Sequence, residues 1–66
     1  MSVAKVIEIK ARSDQSFEDA ITQGVRKAGE SVQHIQAAWV QDQQVLLDEG
    51  NITGYQVTLK VTFTVS

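Results

Sequence analysis

From Phe17 onward the apolar or small residues Phe17, Ala20, Ile21, Gly24, Val25, Ala28, Gly29 and Val32 recur at alternating steps of three and one. That spacing places side chains along one stripe of an α-helix. Ser16 stands just before the stripe with Asp19 three residues on, a capping-box arrangement in which Asp replaces the usual Glu or Gln. Gly24 and Gly29 lie on the stripe itself. Each costs about 1 kcal/mol of helix stability relative to Ala, so the pattern assigns them a use: close approach of the helix backbone to a sheet.

Period two takes over towards the C-terminus. Tyr55, Val57, Leu59, Val61, Phe63 and Val65 alternate with Gln56, Thr58, Lys60, Thr62 and Thr64, as in an antiparallel strand with one face buried. β-Branched and aromatic residues dominate it, so it has the best strand propensity in the chain. Segment 3–11 suits a second strand, although Val6 breaks its polar side, and a third is expected over about 35–47. Between the third and the last lies Asp48-Glu49-Gly50-Asn51, whose Gly-Asn pair can adopt the positive φ values of a tight hairpin. The order is strand, helix, strand, strand, an α+β domain with no internal repeat, proline or low-complexity linker.

One helix covers one face of a three-stranded sheet, and the apolar side of 55–65 is the side it should cover. In the third-strand segment Ala38 and Val40 share one parity, while Ala37, Trp39, Gln41 and Gln43 share the other. If Ala38 and Val40 look at the helix, Trp39 looks away from it, together with Gln56. A large aromatic surface placed in water marks a contact site. The competing arrangement is a bulge that turns Trp39 into the core, since strand register is weakly specified by one sequence. Taken alone, Gln56 reads as a solvated polar residue beside Thr58 and Lys60.

Size sharpens this picture. A chain of 66 residues is expected to form one domain, 1–66, and to bury only roughly 60% of the surface it exposes when unfolded. Such chains are reinforced by disulfides, metals, unusually good packing or association. The absence of cysteine excludes disulfides and a thiolate zinc site. With His34 the one imidazole, a bound metal would be a hard cation held by oxygens. Association with copies of itself is the remedy left.

Charge and hydropathy remove other classes. Eight acidic and six basic residues give a net charge of −2 with no Lys/Arg cluster, which disfavours binding to a phosphate backbone. No apolar run approaches the roughly 20 residues needed to span a bilayer, and Lys5, Glu8 and Lys10 interrupt any apolar core of a signal peptide. The expectation is a soluble, cytoplasmic chain, complete as written, with neither nucleic acid nor membrane as partner.

Other chemistry is sparse. His34 has no nucleophile or carboxylate arranged around it and reads as a residue meeting the last helix carbonyls. Asp48, Glu49 and Asn51, with Asp42, offer oxygens to a calcium ion without the spacing of a dedicated calcium loop, and a plain hairpin turn is the simpler reading. Glu18, Arg26, Lys27 and Glu30 read as a solvated helix face or as intersubunit ion pairs. No phosphate-cradling loop or placeable carboxylate pair is present, so the chain does not read as an enzyme.

Three segments resemble one family. Lys5-Val6-Ile7-Glu8-Ile9, Ser16-Phe17-Glu18-Asp19-Ala20 and, most specifically, Tyr55-Gln56-Val57-Thr58-Leu59-Lys60-Val61-Thr62-Phe63 look like the corresponding segments of dodecins, and the likeness spans almost the whole chain without insertions. The resemblance implies a three-stranded antiparallel sheet partly wrapped around one helix, with twelve copies closing into a hollow shell. In flavin-binding members, isoalloxazine rings lie in pairs between tryptophans of symmetry-related subunits, and a glutamine of the last strand hydrogen-bonds the ring edge. A flat ring gains from stacking on an indole, and an amide offers that edge both a donor and an acceptor.

Gln56 matches the family's glutamine. The stacking position falls on Ala37, with Trp39 two residues later, on the same face and about 6.6 Å along the strand. Either Trp39 stacks on a ligand in a shifted pose, or flavin binding is lost and Trp39 packs at a subunit contact. The shift exceeds what a stacked pair absorbs at centroid separations of roughly 4.5–7 Å, which favours the second. Taken as a whole, and against that local shift, the resemblance implies a homododecamer that stores and sequesters a flavin (riboflavin or FMN) or a related flat ligand, its site made of Gln56, Trp39 and Ala37. The alternative is a structural shell without flavin that holds a metal ion such as calcium.

Overall fold

Two switches of hydrophobic period set the elements of the chain, which a computed structural model describes over residues 3–65. Met1, Ser2 and Ser66, counted in the expected domain span, lie outside the described residues. The elements are β1 (Val3–Ser13), α1 (Phe17–Gly29), β2 (Ile35–Asp48) and β3 (Asn51–Val65). The strands pair antiparallel in the order β1-β3-β2. The strand with the cleanest alternation thus takes the centre, where its backbone is paired on both sides. β3 begins four residues before the expected segment 55–65, and β1 runs two residues past Ala11.

Ser16 caps α1: its backbone is extended and its Oγ accepts the Asp19 N–H at 2.9 Å. The reciprocal half of the box is not made. Asp19 carries one methylene fewer than Glu, and its Oδ2 instead accepts the Ser13 hydroxyl at 2.6 Å. Ser13 Oγ in turn accepts the Gln15 N–H at 2.9 Å, so the end of β1 is tied to the first turn of the helix.

At the other end the Lys27 and Ala28 carbonyls are taken by the backbone N–H groups of Glu30, Ser31 and Val32. This corrects the expectation for His34. It stands beyond the helix at φ 63°, where its own carbonyl accepts the Thr64 N–H at 3.1 Å. Its part is to turn the chain into β2, in a conformation that histidine tolerates better than most residues.

The helix covers the face of β3 that carries Val57, Leu59 and Val61. With Ala20 and Ala28 these form the buried core, ringed by Ile7, Ile9, Ala11, Phe17, Ile21, Val25, Ile35, Ala38 and Val40. Phe17 meets Tyr55 edge to face, with ring centroids 5.1 Å apart. The two stripe glycines differ. A Cβ on Gly24 would lie 3.0 Å from Ala11 Cβ and 3.0 Å from Leu59 Cδ1, whereas one on Gly29 would meet nothing within 4 Å. Close approach to the sheet is therefore the use of Gly24 alone.

The pairing of β2 with β3 departs from regularity at three register shifts, of which the one between Val40 and Asp42 bears on the expected faces. Gln41 is the extra residue of a bulge, which exchanges the faces of everything after it. Gln43 pairs with Val57 on the helix side and Gln44 pairs with Gln56 on the other, reversing the expected placement of Gln43. The hairpin turn also sits one residue earlier than expected. Glu49 (φ 50°) and Gly50 (φ 82°) take the two left-handed positions, and Asn51 pairs with Asp48.

Candidate functional site

Residues paired across a sheet share a face, so the register lays out the surface that α1 leaves uncovered as a series of rows. Val6–Thr62–Ala37 is followed by Glu8–Lys60–Trp39, then by Lys10–Thr58–Asp42, then by Arg12–Gln56–Gln44. Of these rows the first two carry apolar groups and the last two are polar, and beyond them Leu46, paired with Gly54, continues the same face. The chain measures 51 × 19 × 14 Å, a slab too thin to fold back over its own second face.

Trp39 keeps the phase expected of it. It is 62% exposed on the uncovered face, and the Lys60 ammonium lies 5.5 Å from its ring centroid, a cation–π contact worth roughly 0.5–1 kcal/mol at an exposed site. Ala37 is exposed in the neighbouring row. Being one pleat repeat farther from Gln56, it makes Trp39 the nearer of the two to the amide.

Gln56 is on the same face but is not a solvated residue, being only 6% exposed. Its Oε1 accepts from Arg12 Nε at 2.5 Å and its Nε2 donates to Gln44 Oε1 at 2.9 Å. In the adjacent row Lys10 Nζ donates to Thr58 Oγ1 at 3.3 Å. The amide can make two further hydrogen bonds, one as donor and one as acceptor. Trp39 and Gln56 are not brought together within one chain. They lie two rows apart, a separation of about 13 Å along the strands.

Arg12, Gln44 and Lys60 belong to this surface and were not legible as site residues. Lys60 stood in plain view on the polar side of its strand. Arg12 required knowing that β1 continues past Ala11, and Gln44 required knowing of the bulge at Gln41.

The oxygens considered for calcium do not converge in one chain. Among the described residues no group of three or more His, Asp or Glu side chains is placed to hold a metal ion. Asp42 sits six residues back along β2 from Asp48 at the hairpin. Lys27 and Glu30 of the helix pair at 3.2 Å on an exposed surface, which has little energetic weight. An open groove of about 510 Å³ between β1 and α1, lined by Ile7, Ile9, Gly24 and Ala28 among others, lies on the helix side and is separate from Trp39 and Gln56. No helix among the described residues is long and apolar enough to cross a membrane.

Comparison with known proteins places this geometry. The family model described as Dodecin matches residues 3–66. The calcium dodecin of Mycobacterium tuberculosis is 38% identical over 63 residues, covering 96% of this chain and 89% of that protein. Its crystal structure, described as a calcium-chelating immunodominant antigen with a novel calcium-binding site, superposes with a TM-score of 0.86 at 35% identity, covering 98% of this chain and 93% of the other. A Thermus thermophilus protein matches with a TM-score of 0.93 at 26% identity over 100% of this chain and 97% of its own.

Proposed function

The chain belongs to the dodecin family, and from that premise we propose that twelve copies close into a hollow shell whose uncovered sheet faces bind and sequester a flavin, riboflavin or FMN, without turning it over. The observation that carries this reading is the Trp39 indole, 62% exposed on the same face as the Gln56 amide. A solvated indole on a strand is a platform for a flat ring. The donor and acceptor left on Gln56 suit a heterocycle edge in which an N–H adjoins a carbonyl.

The residues of one chain are too far apart to do both jobs at one point, so the site belongs between copies. Trp39 of one protomer supplies the stacking face and Gln56 orients the ring edge, while Ala37, with no side chain beyond Cβ, leaves the indole uncrowded. A bound flavin supplies an excited state that an adjacent indole quenches, which is the protective part of storage. Cytoplasmic placement, and the absence of nucleic acid and membrane partners, belong to this proposal and rest on charge and hydropathy.

Titration of the purified protein with riboflavin and with FMN tests it. Flavin fluorescence should fall to a saturating plateau, with a shift of the flavin absorption bands. Unquenched fluorescence and a colourless protein after buffer exchange would exclude the flavin reading.

A second reading is favoured by the 38% identity to a calcium dodecin: a shell of the same architecture that holds calcium. Because the described residues of one chain bring no group of three carboxylates together for it, Asp42, Asp48 or Glu49 of several copies would have to meet at a symmetry axis. Calorimetric titration of chelator-treated protein with calcium separates the two readings, since heat of binding with silent flavin titrations supports the second.

A further inference from the structure

We propose that Arg12 is a positioning residue that fixes the sense of the Gln56 and Gln44 side-chain amides, and so sets the direction in which the uncovered face reads a ligand edge. The row Arg12–Gln56–Gln44 runs straight across the sheet from β1 through β3 to β2. A guanidinium has five N–H donors and no acceptor, so the atom of Gln56 that faces it must be Oε1. Arg12 Nε donates to that oxygen at 2.5 Å. The Gln56 amino group is thereby turned to β2, where Gln44 Oε1 accepts it at 2.9 Å. Gln44 must then present its own amino group away from Gln56, at the open edge of the sheet. Three side chains thus form a relay with one direction, set by the only member that cannot flip.

Gln56 is 6% exposed, so water cannot readily replace a partner lost by flipping. A buried group left unsatisfied disfavours the flipped amide by between about 5- and 150-fold. The unused capacity of the row follows from the same direction. Gln56 keeps an acceptor on its β1 side and a donor on its β2 side, while Gln44 and Arg12 add further N–H groups. The row is rich in donors and suits a flat heterocycle whose edge has an N–H beside a carbonyl and carbonyl oxygens in excess. Nothing else in the uncovered face specifies this sense: Lys10 bonds Thr58 in the next row, and Lys60 sits over Trp39.

The inference deepens the flavin reading and rests on it for its ligand, but the relay is testable without one. In protein with ¹⁵N-labelled glutamine, the wild type should show Overhauser contacts from the Gln56 amino protons to the Gln44 side chain. Arg12→Lys should keep them, Arg12→Met should weaken them, and Arg12→Glu, which presents an acceptor, should move them to the side chain at position 12. Riboflavin affinity should stay within about threefold in Arg12→Lys and fall about tenfold or more in Arg12→Met and Arg12→Glu, a tenfold change being one hydrogen bond of ordinary strength. Unmoved Gln56 contacts in Arg12→Glu would overturn the relay. Moved contacts with unchanged affinity would overturn its part in ligand reading. If the wild type binds no riboflavin, the flavin reading falls and takes the ligand half with it, while the amide contacts still decide the relay.

Discussion

Replacing Gly24 with Val should abolish the folded protomer or cost it about 3 kcal/mol or more, whereas replacing Gly29 with Ala should stabilise it by up to about 1 kcal/mol. Both glycines lie on the apolar stripe of the sequence, so propensity alone predicts a gain at each, but Gly24 is buried and Gly29 is exposed. The difference is what stands in front of them. At Gly24 even the first added carbon would be 3.0 Å from Ala11 Cβ and 3.0 Å from Leu59 Cδ1, with Ile9 Cδ1 at 3.6 Å. Leu59 is fully buried at the centre of the core, and Ala11 Cβ cannot retreat without moving β1. Valine adds two further methyl groups to that contact.

A chain of this length has a margin of about 3–10 kcal/mol, so overpacking at one point can consume it. Nothing lies within 4 Å of a Cβ at Gly29, and there the helix gain stands. Thermal unfolding at one fixed protomer concentration, needed because association shifts apparent stability, should show melting rising by a few degrees in Gly29→Ala and collapsing in Gly24→Val. Equal responses at the two positions would contradict the packing described.

The second large effect concerns the ligand. Trp39→Ala should weaken riboflavin binding by about 5- to 150-fold, the range that removal of an aromatic stacking partner gives for flat heterocycles. It should also abolish quenching of the flavin that still binds. If the indole, 62% exposed in one chain with the Lys60 ammonium 5.5 Å from its ring centroid, serves as a stacking platform, the same substitution should leave the melting temperature and the mass of the assembly nearly unchanged. This combination separates the two uses open to Trp39. A stacking platform loses ligand and keeps its shell, while a subunit contact loses the shell. Fluorescence titration and light scattering on the same sample read both.

Legibility in the sequence follows the strength of local periodicity. The helix and the central strand were plain because their stripe and alternating positions carry unbroken patterns, although Val32 lies beyond the end of α1 and Gln56 and Thr58 are buried on the far side of β3. The uncovered face could be inferred because a single helix cannot cover two. What escaped were features that depend on pairing partners. Gln41 carries no mark of a bulge, being an ordinary polar residue with ordinary neighbours, yet it exchanges Gln43 and Gln44 between the faces. The hairpin turn falls on Glu49-Gly50, because Asp48 pairs with Asn51 and so requires positive φ at a glutamate.

The same holds at the site. Gln56 was visible as a polar residue on a polar strand face, but its low exposure and its hydrogen bonds to Arg12 and Gln44 depend on both neighbouring strands. A cross-sheet row joins residues 44 and 12 positions apart in sequence, and periodicity within one segment cannot see it. The exposure of Trp39 was readable since its phase relative to Ala38 and Val40 is a local property.

The central claim is that neighbouring copies of the chain shield the sheet face left bare by α1. Native mass spectrometry at micromolar protomer concentration tests it most directly. Twelve chains of 7.3 kDa should appear as one species near 88 kDa that persists on dilution, and a stable species at the 7.3 kDa of a single chain would contradict it.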